Sequence, residues 1–596
     1  MFCFSIVIPG PFPKRIRKIY RSAMVALLPE NMGEKTSRRK FLGTIGAGVV
    51  GLIIGGVVGW LAKPEVVAEK TVTATVTKTA EVTKTVTATV TAMPTPTVTV
   101  TTPPTTVTTT PAPTGLDPVA QRAVDGVKAL IASGKVKPGT TIKLLHAGGS
   151  RENWERAIEL WKKYVPEINV ELVTVDIIDV RVKAMGEAVA KTGEIDGFNV
   201  MSTWIGDLVE AGGVQPIDEW FNKYDPGYTG PDAPIEPLGT YCTMYKGKRY
   251  ALITDTDVFT LSYRKDLLSD PTYKKEFEAQ YGFELKIPDT WEEAIKIGEF
   301  FTKLNLTAPG GEKVYGLYFY MEPSFAGYIT WWDIFTESGG ILFDPETMDP
   351  KIDTPEGKYA LDVCLRMLPY MPPECLTAPW PDLYDKFVKG QTVLTAGWPS
   401  LSKEAGRPES PVKGKYGSAL MPGVEVEVGG QKKIIKAAPN PVNWVGTVSA
   451  YSKNPELMYL FYQFATSPDI GLDMVLRGII LDLYRRSWFV DPKYRPRSAE
   501  LYGEEFVDVY MKSIEVSWPD LMLRGGPEYL DKLTKMLNAC YAGAYDPERV
   551  LSDIAAEWDT ITKRYGVDSQ LEAWRAMIQL YPEHIKELWR AKGYMK

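Results

Sequence analysis

An uncharged stretch from Phe41 to Ala62, entered through Ser37-Arg38-Arg39-Lys40, fixes where the rest of this chain must fold. Paired arginines ahead of an apolar run read as a twin-arginine export signal. About 20 apolar residues also suffice to cross a bilayer as one helix. Residues 37–62 are therefore read as a signal or membrane-anchor helix, and the residues C-terminal to it as working at the extracellular face of the membrane. No ATP pool exists there, which argues against kinase-like chemistry. Charge agrees with this orientation. Residues 1–63 hold 10 Lys/Arg against 2 Asp/Glu, so a chain of net charge −6 carries −14 in its remainder. Basic residues mark the cytoplasmic flank of an anchor. An acidic exported part offers no footprint for nucleic-acid phosphates.

Residues 1–36 form a basic N-terminal region in which Met32 is a natural alternative start. Val66-Val67-Ala68 offers a small-residue cleavage site, which would release a secreted form. Retention as an anchor is favoured, because a long tether is useful only if its other end is held. From Thr71 to Thr114 the sequence is mostly Thr, Val, Ala and Pro, without aromatic residues to build a core. Residues 63–114 are read as a disordered, O-glycosylated stalk. At about 3 Å per residue such a stalk reaches on the order of 100 Å.

The remainder, 115–596, reads as one folded unit with two lobes. Thr141 to Leu145 is strand-like, ending at His146-Ala147-Gly148-Gly149-Ser150. A helix follows with Trp154, Ile158, Trp161 and Val165 on one face, then a strand over Asn169 to Val175. This βαβ opening implies a parallel sheet with ligands beyond the carboxyl ends of its strands. Pro288-Asp289-Thr290-Trp291-Glu292-Glu293 starts a helix with a capping box. Helices are also expected over Ser324 to Glu337, Asp382 to Lys389 and from Pro455 through Phe464, with a strand at Thr392 to Thr395. The class is α/β.

Of five cysteines, Cys242, Cys364, Cys375 and Cys540 follow the anchor, and Cys364 with Cys375 are the nearest candidates for a disulfide. Absence of Cys-x-x-Cys spacing leaves no support for a zinc site, and no cofactor is expected. Asn305-Leu306-Thr307 is a glycosylation sequon.

The ordered set of motifs resembles family 1 extracellular solute-binding proteins, the maltose-binding-protein-like receptors of ABC importers. The resemblance rests on Asp196 to Val200 leading to Trp204 and Gly212 to Asp218, on Arg249 to Leu252 with Leu261 to Leu267, and on Pro288 to Glu293. It continues through Phe387 to Gln391 with Gly397-Trp398, Met421-Pro422-Gly423, and Gly446 to Glu456. It covers roughly 141–580. Arg264 stands where asparagine is usual, and Leu252-Ile253 replaces a proline region. The resemblance implies a two-lobed, periplasmic-binding-protein-like (Venus flytrap) fold closing by a hinge over a small-molecule ligand, with two permease subunits and a cytoplasmic ATPase pair as partners. It implies a monomeric, non-catalytic receptor for a sugar or oligosaccharide.

Sugar recognition needs aromatic faces and polar groups together. Trp398 stands at the family's ligand-contacting tryptophan. Trp204 follows a strand and Trp444 precedes Val445-Gly446, and both are candidates. Trp331 and Trp332 are adjacent on a helix, so one is expected to line the cleft. Asp255 and Asp257 flank Thr256 at the expected lobe crossover, where a carboxylate can accept charge-assisted hydrogen bonds. Ser150 and Arg151 sit on the first strand-to-helix turn, and Glu322 precedes a helix. Two other functions stay open. A glycoside hydrolase needs a carboxylate pair, for which Asp255, Asp257 or Glu152 are available. A surface lectin or adhesin would use the stalk for reach. Only two histidines are present, so a histidine-dependent triad has little material.

Overall fold

Nine strands and the segments crossing between them set the architecture of the computed structural model, which describes residues 115–324, 326–478 and 480–595. In chain order they are β1 (Thr141–Ala147), β2 (Asn169–Val175), β3 (Gly197–Met201), β4 (Ala251–Ile253), β5 (Thr260–Arg264), β6 (Tyr315–Tyr318), β7 (Thr392–Gly397), β8 (Tyr416–Ala419) and β9 (Trp444–Val448). The readings of an anchor at 37–62, a cleavage site and a stalk lie outside the described residues. Among those described, no helix is long and apolar enough to cross a membrane.

The first sheet runs β2-β1-β3-β9-β4 and the second β8-β5-β7-β6. β1 pairs in parallel with β2 and β3, as the βαβ opening requires. The sheet is nevertheless mixed, because β9 returns antiparallel between β3 and β4. The chain leaves the first sheet after Ile253, builds the second from Thr260, and re-enters the first at Trp444. Each sheet carries its own helices, so the unit has two lobes. It belongs to one compact body spanning 109–596, which contains both sheets and the whole described core.

Local signals hold closely. The β2 bounds match the sequence reading, and the helix after β1 is Arg151–Tyr164; a helix over Pro118–Ala132, which the sequence reading did not include, precedes β1. The Thr290 hydroxyl accepts from the Glu293 N–H at 3.2 Å. Glu293 returns to the Asp289 N–H at 2.6 Å, one residue upstream of the ordinary capping-box donor. The Ser324 to Glu337 helix begins only at Ile329.

The C-terminal region decides what the sheets alone do not. The helix Glu504–Glu515 packs on β8 and β5. The strand Ser517–Pro519 then pairs with Ala438–Asn440, and the helix Gly526–Tyr541 runs across the cleft. Its preceding Gly525 N–H donates to Asp207 of the first lobe at 2.7 Å, while Asn538 donates to the Met321 and Leu376 carbonyls of the second at 2.7 and 2.9 Å. Gly206 permits this approach, since a Cβ there would lie 2.6 Å from the Leu523 backbone. The length beyond a minimal binder therefore builds a wall across the cleft.

Two expectations are corrected here. Trp331 and Trp332 are both fully buried, and neither lines the cleft. Trp331 stacks on Phe335 at 4.8 Å and donates to the Gly357 carbonyl, while Trp332 packs 4.5 Å from Trp518. Every residue of Ile329–Glu337 is buried, because the C-terminal elements cover the face that the sequence leaves open. Cys364 and Cys375 are free buried thiols, as are Cys242 and Cys540. Cys364 faces the core from inside the Pro355–Met367 helix, and Cys375 sits in a separate one-turn helix. Residues 109–596 should accordingly give no reaction with a thiol reagent when native and four equivalents in denaturant. Two equivalents under denaturing, non-reducing conditions would restore the disulfide.

Candidate functional site

The cleft between the lobes encloses a cavity of about 240 Å³. The carboxyl ends of β2 and β3 open onto it, as the rule for open parallel sheets anticipates. Ile177 and Ile178 reach it directly after β2. Met201 does so at the end of β3 and Thr203 and Trp204 just after it, Pro323, Ser324 and Tyr328 from the second lobe, and Val442 from the crossover. Asp520 and the wall helix complete the lining.

Of the sequence-derived candidates, Trp204 is the one that lines this cavity. The indole is 8% exposed and meets Trp444 edge-on at 6.0 Å, so Trp444 supports it from behind. Glu322 acts at one remove. Its carboxylate, pushed up by burial, accepts from the cavity-lining Ser324 hydroxyl at 2.6 Å.

The remaining candidates lie elsewhere. Trp398 is buried in the second lobe among Phe259, Tyr320, Trp380 and Tyr384, with ring centroids 5.0 to 6.4 Å away. Ser150 is buried and donates to the Ala147 carbonyl, and the exposed Arg151 pairs with Glu155 at 2.7 Å. Behind that turn His146 is completely buried, 2.8 Å from the Thr174 hydroxyl, and burial pulls its imidazole down to about 4. The turn after β1 is thus a neutral structural corner.

Asp255 and Asp257 do sit at the crossover, but inside it. Asp255 is fully buried and accepts from the Asp482 N–H at 2.6 Å. Burial, reinforced by Asp482, holds its carboxyl well above the usual range. The Asp257 N–H is fixed by Asn443 at 3.0 Å, and its carboxyl is likewise raised by burial and by Asp255. Lys403 answers this cluster, with Nζ 3.0 Å from Asp482 and both side chains enclosed. These carboxylates tie the crossover together and do not face the cavity. Among the described residues, no group of three or more ligating side chains is placed to hold a metal ion.

The buried carboxylate at the cavity is Asp520, which sequence reasoning missed; the other, Asp531, is exposed. Asp520 accepts from the Val442 and Leu521 N–H groups at 3.0 and 2.8 Å and from the Tyr328 hydroxyl at 3.2 Å. Nothing in its sequence context, Trp518-Pro519-Asp520, distinguishes it from a surface turn. Ile177 and Ile178 did carry a signal, since they directly follow a recognised strand.

Burial pushes the Asp520 carboxyl from 3.8 up to about 6. A raised folded value means that the folded state holds the proton more tightly. The associated stability is present below pH 4 and is lost as pH rises through 6, by about 3 kcal/mol. Asp520→Asn should flatten that part of the decline between pH 4 and 7 in urea melts. An unchanged slope would assign the decline to the other buried acids.

Residues 147–471 match the family described as Bacterial extracellular solute-binding protein. Over 291 residues the chain is 24% identical to the maltotriose-binding protein of Pyrococcus abyssi, covering 47% of this chain and 51% of that protein. A 150-residue stretch, 25% of this chain, is 27% identical to 56% of the thymidine kinase of Deinococcus radiodurans. No Gly-x-x-x-x-Gly-Lys-Ser/Thr phosphate loop occurs in the sequence. The chain thus spans about half the length of the curated relatives it matches. Maltose-bound MalE3 of T. maritima superposes with a TM-score of 0.57 at 19% identity, over 71% of this chain and 100% of that one. The ABC transporter solute-binding protein of Agrobacterium radiobacter K84, in complex with ribitol, gives 0.58 at 20% identity, over 71% and 100%. At these identities the two structures share the fold.

Proposed function

Because the chain belongs to the bacterial extracellular solute-binding proteins, we propose that it is the receptor of an ABC importer that captures a carbohydrate between its lobes. It delivers the solute to permease subunits driven by a cytoplasmic ATPase. One observation carries this reading: Trp204, at the carboxyl end of β3, presents a braced indole to a cavity between two lobes. Aromatic faces suit the apolar side of a sugar ring. The maltose- and maltotriose-binding relatives support the ligand class, and the ribitol complex keeps linear polyols within it.

In this reading residues 37–62 hold the chain at the outer face of the membrane, 63–114 serve as tether, and 115–596 bind as a monomer. Release and capture use the crossovers at 254–259 and 420–443 as hinge. The receptor is non-catalytic. The acids available to a hydrolase are differently employed, with Asp255 sealed against Asp482 and Glu152 exposed in the first turn of the Arg151–Tyr164 helix.

The test is a thermal-shift screen of residues 109–596 against mono- and oligosaccharides, with polyols, peptides and anions as controls. A ligand that binds only the folded state raises the melting temperature by mass action. A shift with a sugar or polyol is expected. A shift with peptides or anions alone would replace the ligand class, and product release from an oligosaccharide would replace the receptor.

A further inference from the structure

The wall of this cavity is more apolar than a free sugar requires. Its apolar lining comprises Ile177 and Ile178 with Pro323, Pro527 and the buried Leu530. Ile178 remains 76% exposed and Ile177 38%, although both line the cavity. Pro527, Leu530 and Thr534 occupy one face of the wall helix, at spacings of three and four residues. That face runs from apolar side chains to a buried hydroxyl.

The polar groups on the wall are mostly committed within the protein. Tyr328 donates to Asp520, which also takes two backbone N–H groups. Ser324 donates to Glu322, and Asp531 accepts from Lys535. The Thr534 hydroxyl, 2% exposed, has no hydrogen-bond partner among the described residues. A free sugar carries hydroxyls around its whole rim. Enclosed here, several would lose water without gaining a protein partner, which is unfavourable. A ligand with one hydroxyl-bearing end and one apolar end meets no such conflict.

We infer that the solute is an amphiphilic glycoside, whose sugar head sits between Trp204 and Thr534 and whose alkyl or aryl aglycone runs over the buried Leu530 and leaves past the exposed Ile177 and Ile178. This rests on the carbohydrate-receptor reading and narrows its ligand class. Each methylene taken from water onto such a lining adds affinity without any hydrogen bond.

The experiment is a titration calorimetry series on residues 109–596. Free hexoses, disaccharides and hexitols are paired with the hexyl and phenyl glycosides of the same sugars, below their micelle concentrations, and 1-hexanol is run alone. At least one glycoside should bind tenfold or more tightly than its free sugar. That ratio should fall toward one in Ile178→Ser and in Leu530→Ser, each checked for a cooperative urea melt. Free sugars binding as tightly as their glycosides would overturn the inference and leave the carbohydrate receptor standing. A ratio unmoved in both variants would also overturn it, since the aglycone would then leave elsewhere. Binding of 1-hexanol with no binding of any free sugar or glycoside would overturn both the sugar head and the carbohydrate reading. Failure of every compound in the series would overturn the inference too, because the apolar lining would then confer no affinity on an apolar group.

Discussion

Lys403→Met is expected to destabilise residues 109–596 by about 3–5 kcal/mol, the cost of stranding a buried charge. Lys403 lies on the short helix Ser400–Ala405 with its side chain 2% exposed, and its Nζ donates to the Leu481 carbonyl at 2.6 Å. Its ion-pair partner Asp482 also accepts from the Tyr502 hydroxyl at 2.6 Å, and Asp482 donates its own N–H to Asp255. Removing the ammonium leaves Asp482, Asp255 and Asp257 as neighbouring buried acids with no cation among them. The double change Lys403→Met/Asp482→Asn should recover most of the loss, because the uncompensated charge goes with its partner. Urea midpoints of the wild type, both single variants and the double close the cycle. A single-variant loss under about 1 kcal/mol would mean that water reaches the pair.

Trp204→Ala is expected to weaken binding of the solute found in the thermal-shift screen by about 2–4 kcal/mol, as for a buried aromatic anchor. That corresponds to roughly 30- to 1,000-fold in dissociation constant. Trp398→Ala is the informative contrast. Its ring packs against four aromatic neighbours and lines no part of the cavity, so its loss should appear as about 3–5 kcal/mol of stability. Calorimetric titration beside urea melts of both variants separates the two effects. If Trp398→Ala abolished binding while Trp204→Ala did not, the site would lie deeper in the second lobe.

The contrast between these tryptophans shows where sequence reading stops. Both follow a strand, and both stand in recognisable motifs. Trp204 follows β3 of the first sheet, where the chain turns into the cleft. Trp398 follows β7 of the second sheet, where Phe259 and Tyr320 close over it. Spacing along the chain cannot report which of two ends of a sheet a distant aromatic covers. The same holds for Asp255. Its place at the crossover was legible, but its burial depends on Asp482, which lies 227 residues away.

The sequence by itself determined the βαβ opening of the first lobe, the capped helix start at Thr290 and the family. The first two depend on periodicity and capping chemistry, which lie within a few residues, and the family on the order of short motifs along the chain. Tertiary structure decided the mixed direction of the first sheet, the burial of both Trp331 and Trp332, and the composition of the cavity. The first depends on β9 returning antiparallel between β3 and β4, and the other two on where the segment after Arg495 returns, over β8, beside Ala438–Asn440 and across the cleft. A helix face becomes core or surface only when something arrives to cover it, and no local pattern encodes that arrival.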